Sequence, residues 1–270
     1  MNSYPRTLFY LIDVLCNEKC SKCGHWKYKS QKSMIEPKNI IDFIQSINSL
    51  KELVFVGGEP LIYKNLVLDI VHSVSPRIKC TIITNGVLAD KPLIDRLVDT
   101  NTHIVFSMDT LDKEFWRFVR GQDTYDRVFQ NFHYAISRLN PKQISVQSVL
   151  SKETKTHVSE VGKWLDSLGI YHSIQDYVSD GFGGTWTECE KKRVDSNAKC
   201  HAHQYNMSIM PNGDIYTCFQ QALIPSCERP IGNIVTSTFS DILKSDYFAN
   251  VINKMVDCNL PCKVLKCNIE

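Results

Sequence analysis

Leu8-Phe9-Tyr10-Leu11-Ile12-Asp13-Val14-Leu15, followed at once by Cys16-Asn17-Glu18-Lys19-Cys20-Ser21-Lys22-Cys23, is the stretch from which the rest of the chain can be read. The apolar run predicts a strand, and the polar residues after it predict a loop at the strand's end. That loop carries three thiols at C-x3-C-x2-C spacing, close enough to face one centre. The nearest further ligand type, His25, follows the last thiol by only two residues. Three thiolates hold three corners of a cubane iron–sulfur cluster and leave one iron open. An open metal position is where a substrate or cofactor binds. A zinc site or plain buried thiols is the other reading of three cysteines taken alone.

Downstream, strand and helix patterns alternate. A helix is predicted from Pro37 to about Leu50, with Ile40, Ile41, Ile44 and Ile47 as its apolar side. Leu53–Val56 reads as a buried strand ending in Gly57-Gly58, followed by a helix from Asn65 to Val74. Cys80–Thr84 is a strand ending in Asn85-Gly86, and Lys91 to Thr100 a helix. His103–Ser107 is a strand, Tyr125–Leu139 a helix and Ile144–Leu150 a strand. Glu153–Leu168 is a helix with Val158, Val161, Trp164 and Leu165 inward, and Ile170–Val178 closes the series. Apolar strands separated by amphipathic helices predict a parallel sheet. Six units fall short of the eight of a closed barrel, so the expected fold is α/β, an open partial (β/α)6 TIM-like barrel. Ligands bind at the C-terminal ends of such strands, where the cysteine loop, Gly57-Gly58, Asn85-Gly86 and Ser107 all fall.

Composition narrows the partners. The 270-residue chain has 31 basic and 29 acidic residues, which offers no electrostatic case for nucleic acid or an anionic membrane. No run approaches the roughly 18 apolar residues of a membrane span, and the N-terminus lacks a signal-peptide pattern. A soluble cytoplasmic protein is expected. Eleven cysteines then read as ligands or reactive thiols rather than a disulfide framework. They cluster at both ends, which predicts two metal sites.

With these residues in view, the chain resembles the radical S-adenosylmethionine (radical SAM) superfamily. The resemblance rests on Cys16-x3-Cys20-x2-Cys23, Gly57-Gly58-Glu59-Pro60, Thr84-Asn85-Gly86 and Ser107-Met108-Asp109, each after successive strands, and covers about residues 5 to 178. It implies a 4Fe–4S cluster whose open iron chelates the methionyl amino and carboxylate groups of S-adenosylmethionine. An electron from that cluster cleaves the sulfonium, and the resulting 5′-deoxyadenosyl radical abstracts substrate hydrogen. It implies cofactor contacts from Gly57, Gly58, Glu59 and Pro60, with the Glu59 carboxylate on the methionyl ammonium. The two glycines are read as letting backbone approach a ligand. Ser107 is implied at the ribose, Asn85 in the pocket wall, and Arg120 at the methionyl carboxylate, a helix-surface arginine being the other reading there. The sequence departs at Lys22, since the residue before the family's third cysteine is often an aromatic that packs near adenine. His25 and Trp26 stand nearby as replacements.

A second resemblance lies in the tail. Cys200, twelve residues before Gly213, and Gly213-x4-Cys218 look like the auxiliary-cluster extensions called SPASM and twitch. Met207–Tyr216 reads as a β-hairpin turning at Asn212-Gly213, and Phe239–Met255 as a helix with Ser237 or Ser240 as N-cap. The resemblance implies one auxiliary 4Fe–4S cluster on Cys200, Cys218 and two of Cys258, Cys262 and Cys267, with structural zinc as the other reading of those thiols. The expected division is a barrel over 1–180, a linker or mobile loop over 181–199 and an auxiliary-cluster domain over 200–270. The tail is expected to cap the barrel mouth and to move one electron. Cys80 reads as a core residue, and Cys189 and Cys227 as loop thiols.

The resemblance makes the chain an oxidoreductase that takes electrons from a flavodoxin- or ferredoxin-type reductant. Peptide modifiers carry a leader-binding domain before the barrel, whereas about seven residues precede the first strand here. A small polar metabolite of sugar or aminocyclitol type is therefore the expected substrate. A peptide-modifying enzyme or an epimerase using a loop thiol is the alternative, and a non-catalytic zinc-binding scaffold is the reading of another class. No catalytic residue is assigned; Asp176, Asp180 and Glu188 are candidate bases.

Overall fold

The computed structural model describes residues 4–31, 35–177, 187, 201–218 and 229–256. Strands β1 (Thr7–Leu11), β2 (Glu52–Val56), β3 (Lys79–Thr84), β4 (Thr102–Ser107), β5 (Ile144–Leu150) and β6 (Tyr171–Asp176) lie side by side in chain order, each parallel to the next. Helices α1 (Pro37–Ser46), α2 (Lys64–Val74), α3 (Lys91–Leu97), α4 (Lys113–Arg120), α5 (Tyr125–Arg138) and α6 (Lys155–Ser167) make the crossovers. The sheet stays open, as a partial barrel.

The pleat gives each strand two different faces. Leu8, Tyr10, Leu53, Phe55, Cys80, Ile82, Ile104, Phe106, Ile144 and Val146 point to the helices and are sealed from solvent. They form one core with helix residues such as Ile40, Ile44, Val71, Ile94 and Phe132. The alternate residues face the lumen. Phe9, Val56, Ile83, Ser107, Gln147, Ser173 and Gln175 are only half-buried there.

Helix α4 went unread in the sequence. Its start is set by Asp112, whose carboxylate accepts from Phe115 N at 2.6 Å. It stops at Gly121, which adopts φ 65°. β1 ends at Leu11 rather than Leu15, because Asp13 turns the chain: its carboxylate accepts from Val14 N (2.7 Å), Gln31 N (2.9 Å) and the Tyr63 hydroxyl (2.6 Å).

After α7 (Ala202–Tyr205) the predicted hairpin forms as β7 (Asn206–Ile209) and β8 (Asp214–Tyr216), with the short β9 (Gly232–Asn233) beside β8. It does not cap the mouth. β7 pairs parallel with β1 on the side away from β2, so the hairpin extends the barrel sheet. Arg6 N donates to Tyr205 O and the Tyr4 hydroxyl to Asn206 O, both at 2.8 Å, which fixes that register. The predicted C-terminal helix is two helices, α8 (Phe239–Lys244) and α9 (Asp246–Val256). Ser245 is extended between them, and its hydroxyl accepts from Phe248 N at 3.1 Å. The N-cap of α8 is Thr238, not Ser237 or Ser240; its hydroxyl accepts from Asp241 N. Phe248, Val251 and Met255 join the main core. Among the described residues no helix is long and apolar enough to cross a membrane.

Candidate active site

The cysteine loop leaves the end of β1 and is fastened to two neighbours. On one side Gly58 N donates to Asp13 O (2.9 Å) and Glu59 N to Leu15 O (2.8 Å). A Cβ on Gly57 would sit 2.4 Å from Asp13 O, and one on Gly58 only 2.2 Å from Leu15 O. These glycines allow a close approach to the backbone leading into the thiols, and both also line the pocket that the thiols border. On the other side Lys19 N donates to Arg120 O and Ser21 N to Val119 O, at the end of α4. A side chain on Gly121 would strike Lys19 O at 2.4 Å. Gln122 Nε2 donates to Asn17 O (2.9 Å) and Asn85 Nδ2 to Asn17 Oδ1 (2.8 Å). The loop is held at both flanks before any ligand arrives.

Cys16, Cys20 and Cys23 line one pocket of about 220 Å³ together with Gly57, Gly58, Glu59, Asn85, Ser107 and Arg120. Pro60 is buried behind Glu59, at the start of a short 3-10 turn. Burial raises the thiol of Cys16 to about 12 and that of Cys20 to about 11, so loading metal here releases protons. The three thiols border one shared space, in which a polynuclear group such as a cubane cluster would fit. Cys80 is fully buried in β3.

The Glu59 carboxylate is 2% exposed. It accepts from Leu61 N (3.0 Å), Thr84 Oγ1 (2.8 Å) and Asn85 N (2.8 Å), which aim it from the end of β3. Burial still pushes it up to about 7, as expected of an anion waiting for a cation.

Arg120 is not on a helix surface. It is 2% exposed and lies between two buried carboxylates, Glu18 and Asp109, each at 3.4 Å. It also donates to Ser107 O, and its Nη1 comes to 3.9 Å from Cys20 Sγ. Its buried Nε has no partner among the described residues. Lys22 reaches the same Asp109 at 2.5 Å, and Lys22 and Arg120 hold that carboxylate below its usual range against the cost of burial. Two cations and two anions therefore form one compact network under the thiols. The departure at position 22 has its complement at position 109. Glu18, which also accepts from Thr124 Oγ1 at 2.6 Å, escaped the sequence reading, although a charge placed between two cysteine ligands is a visible signal. Trp26 Nε1 donates to Cys23 O (2.9 Å) and its ring is 36% exposed at the pocket edge, beside His25.

Cys218, the tail thiol among the described residues, lies elsewhere. Cys218 follows β8, which runs antiparallel to β7 and so ends where β1 begins. It is near enough to Tyr4 to act on that hydroxyl electrostatically. The five residues of β1 alone separate that end from the cysteine loop by roughly 13 Å. Cys200, Cys258, Cys262 and Cys267 lie outside the described residues, as do Cys189, Cys227, Asp180, Glu188 and, Thr187 apart, the 181–199 segment. Asp176 alternates onto the helix side of β6, level with Leu150, and not into the lumen.

Comparison with known proteins agrees with this geometry. The model of the radical SAM superfamily matches residues 11–165, which includes the cysteine loop, the last residue of β1 and all of β2 to β5. The chain belongs to the radical SAM superfamily. A second model, SPASM, described as an iron–sulfur cluster-binding domain, matches residues 200–268. The cofactors of this radical SAM protein are accordingly a 4Fe–4S cluster with S-adenosylmethionine, and auxiliary iron–sulfur in the SPASM domain. Similar sequences include GTP 3′,8-cyclase of Vibrio parahaemolyticus, 28% identical over 58% of this chain and 50% of that one. GTP 3′,8-cyclase of Chlorobaculum tepidum is 29% identical over 46% of this chain and 40% of that one. The chain thus spans about half the length of the curated relatives it matches. Similar folds include Streptococcus suis SuiB bound to S-adenosylmethionine, with TM-score 0.75 at 19% identity, covering 93% of this chain and 68% of that one. anSMEcpe with bound AdoMet has TM-score 0.70 at 15% identity and covers 94% and 81%. BtrN with AdoMet and 2-DOIA has TM-score 0.60 at 16% identity and covers 100% and 94%.

Proposed function

We propose that this radical SAM enzyme oxidises a small polar molecule and passes an electron to an auxiliary cluster in its C-terminal extension. The observation that carries the reading is one pocket bordered by three thiols on one wall and the Glu59 carboxylate on another. Bound there, the cluster and S-adenosylmethionine supply the one-electron cleavage that makes a hydrogen-abstracting oxidant. The chain's own residues bind, orient and exclude water. Cys16, Cys20 and Cys23 hold the cluster, and Glu59 takes the methionyl ammonium. Asn85 and Ser107 border the nucleoside end. Arg120 holds the cysteine loop through Glu18 and Asp109, and its Nε, unpartnered among the described residues, is the donor left to face a methionyl carboxylate.

Cys218, with the thiols outside the described residues, serves a cluster at the other end of the sheet. At that separation it exchanges electrons and does not touch substrate. A flavodoxin- or ferredoxin-type protein is the proposed electron donor. Likeness in fold to BtrN, seen in complex with AdoMet and 2-DOIA, supports a small-molecule substrate. Peptide modification is the second reading, supported by the folds of anSMEcpe and of SuiB, which has also been seen bound to precursor peptide SuiA.

The test is anaerobic reconstitution with iron and sulfide, followed by an assay of 5′-deoxyadenosine after dithionite reduction. About eight irons per chain are expected from two cubanes, with cleavage abolished in Cys16→Ala, Cys20→Ala or Cys23→Ala. About four irons with cleavage intact removes the auxiliary cluster from the reaction. Zinc without cleavage overturns the reading.

A further inference from the structure

Ser107, which borders the cysteine pocket, is directly opposite Gln147 on β5. Gln147 Nε2 in turn donates to Gln175 Oε1 on β6 at 2.5 Å, with Ser173 in register beside Gln147. Hydroxyl and carboxamide groups therefore run without a break from the cofactor pocket across the lumen, over roughly 10 Å at ordinary strand spacing. These side chains are only half-buried, unlike their sealed neighbours Phe106 and Val146 on the other face.

The row is neutral. Among the described residues, the lumen positions of β4, β5 and β6 carry no Lys, Arg, Asp or Glu. His103, at the far end, has its ring nitrogens on Ser145 Oγ and Lys142 O, and burial holds its pKa down. At the rim, Lys22 and Arg120 are engaged by Asp109 and Glu18. A phosphate or carboxylate pressed against this wall would find hydrogen-bond donors but no counter-charge, and would keep most of its desolvation cost. A polyol or an amide would find matched donors and acceptors. Each amide orients the other, so little side-chain freedom remains to be lost on binding.

We propose that the Ser107–Gln147–Gln175 row is the substrate wall of this site and selects a neutral, hydroxyl- or amide-rich substrate, with no phosphate or carboxylate where it meets the wall. The proposal deepens the radical reading above and rests on it. It also separates this chain from its GTP 3′,8-cyclase relatives, whose named substrate is a triphosphate.

The test is saturation-transfer NMR on the reconstituted protein with S-adenosylmethionine, using N-acetylglucosamine and N-acetylglucosamine 6-phosphate as a pair that differs only in the phosphate. The neutral sugar is expected to bind, and the phosphate ester to bind about tenfold more weakly or worse. Gln147→Ala and Gln175→Ala should each weaken the neutral sugar by about tenfold, and Gln147→Lys should turn the preference toward the ester. Unfolding midpoints of the variants separate loss of the wall from loss of the fold. Tighter binding of the ester, no binding of either sugar, or variants that bind the neutral sugar as wild type does would overturn the proposal. Release of 5′-deoxyadenosine by the wild-type preparation without any sugar reports separately whether the radical reading stands.

Discussion

Phe55, Ile82, Phe106 and Val146 face the helices and are sealed, while their chain neighbours Val56, Ile83, Ser107 and Gln147 face the lumen and keep part of their surface exposed. Alternate residues of the same strands thus do two jobs. The helix-covered face joins all six crossover helices into one core, and the few apolar contacts on the lumen side stay local, around Leu11 and Met210 and around Val149 and Tyr177. Stability is concentrated on one face. The other is left free to carry a pocket, because removing its polar groups costs the fold little.

The largest effect should separate the two faces outright. Phe106 packs edge-on against Phe132 at 5.2 Å, and Phe106→Ala should cost about 3–5 kcal/mol of stability. Gln147→Ala, next to Val146 in the same layer of strands, should stay within about 0.5 kcal/mol. Urea unfolding of the metal-free protein measures both, and similar losses would break the comparison. A smaller effect is expected at the seam between the faces, where Asp109 is fully buried and Lys22 nearly so. Asp109→Asn leaves two buried cations short of a partner and should cost about 3 kcal/mol. Adding Lys22→Met should recover part of it, and the double-mutant cycle gives the coupling.

On the lumen side the consequence is in binding. Glu59→Gln should weaken S-adenosylmethionine about tenfold or more by calorimetry, since a charge-assisted contact becomes a neutral one. Because Glu59 stands near 7 without ligand and only its ionised form pairs with an ammonium, wild-type affinity should fall as pH drops below 7. The Gln variant should lose that slope. The smallest effect involves one histidine from each face. Burial lowers the pKa of His103 in the lumen and of His172 on the helix side. A base lowered on folding binds fewer protons folded than unfolded, so its stability is complete above about 6.5 and lost as pH falls toward the folded value. Replacing either His by Asn should flatten thermal stability between pH 5.5 and 7, and an unchanged profile would remove that histidine from the account.

Much of this was legible beforehand because it is written in short-range patterns. The strand–helix alternation, the polar strand ends and the hairpin turn each depend on residues a few positions apart. The polar positions of β5 and β6 went unread, although Gln147 and Gln175 interrupt runs that a sheet buried on both faces would fill with Val and Ile. Helix α4 was missed although its signals, Asp112 at one end and Gly121 at the other, were present, because three aromatic residues and four charges in eight positions obscure its apolar side. The break at Ser245 was hidden by continuous helical periodicity around a hydroxyl that caps from the middle.

By itself the sequence determined the cysteine triad, the order and direction of the six strands, and hence the rim at which the triad and Glu59 meet. Only the tertiary structure decided that Lys22 answers Asp109 across 87 residues and that Glu18 meets Arg120 across 102. It also decided that β7 returns to lie beside β1, and that Cys218 faces the far end of the sheet. The physical reason is one of range. Periodicity and turn chemistry act within a few residues and leave a local trace, whereas an ion pair or a strand pairing between distant segments is chosen by packing, once the chain has already been brought together.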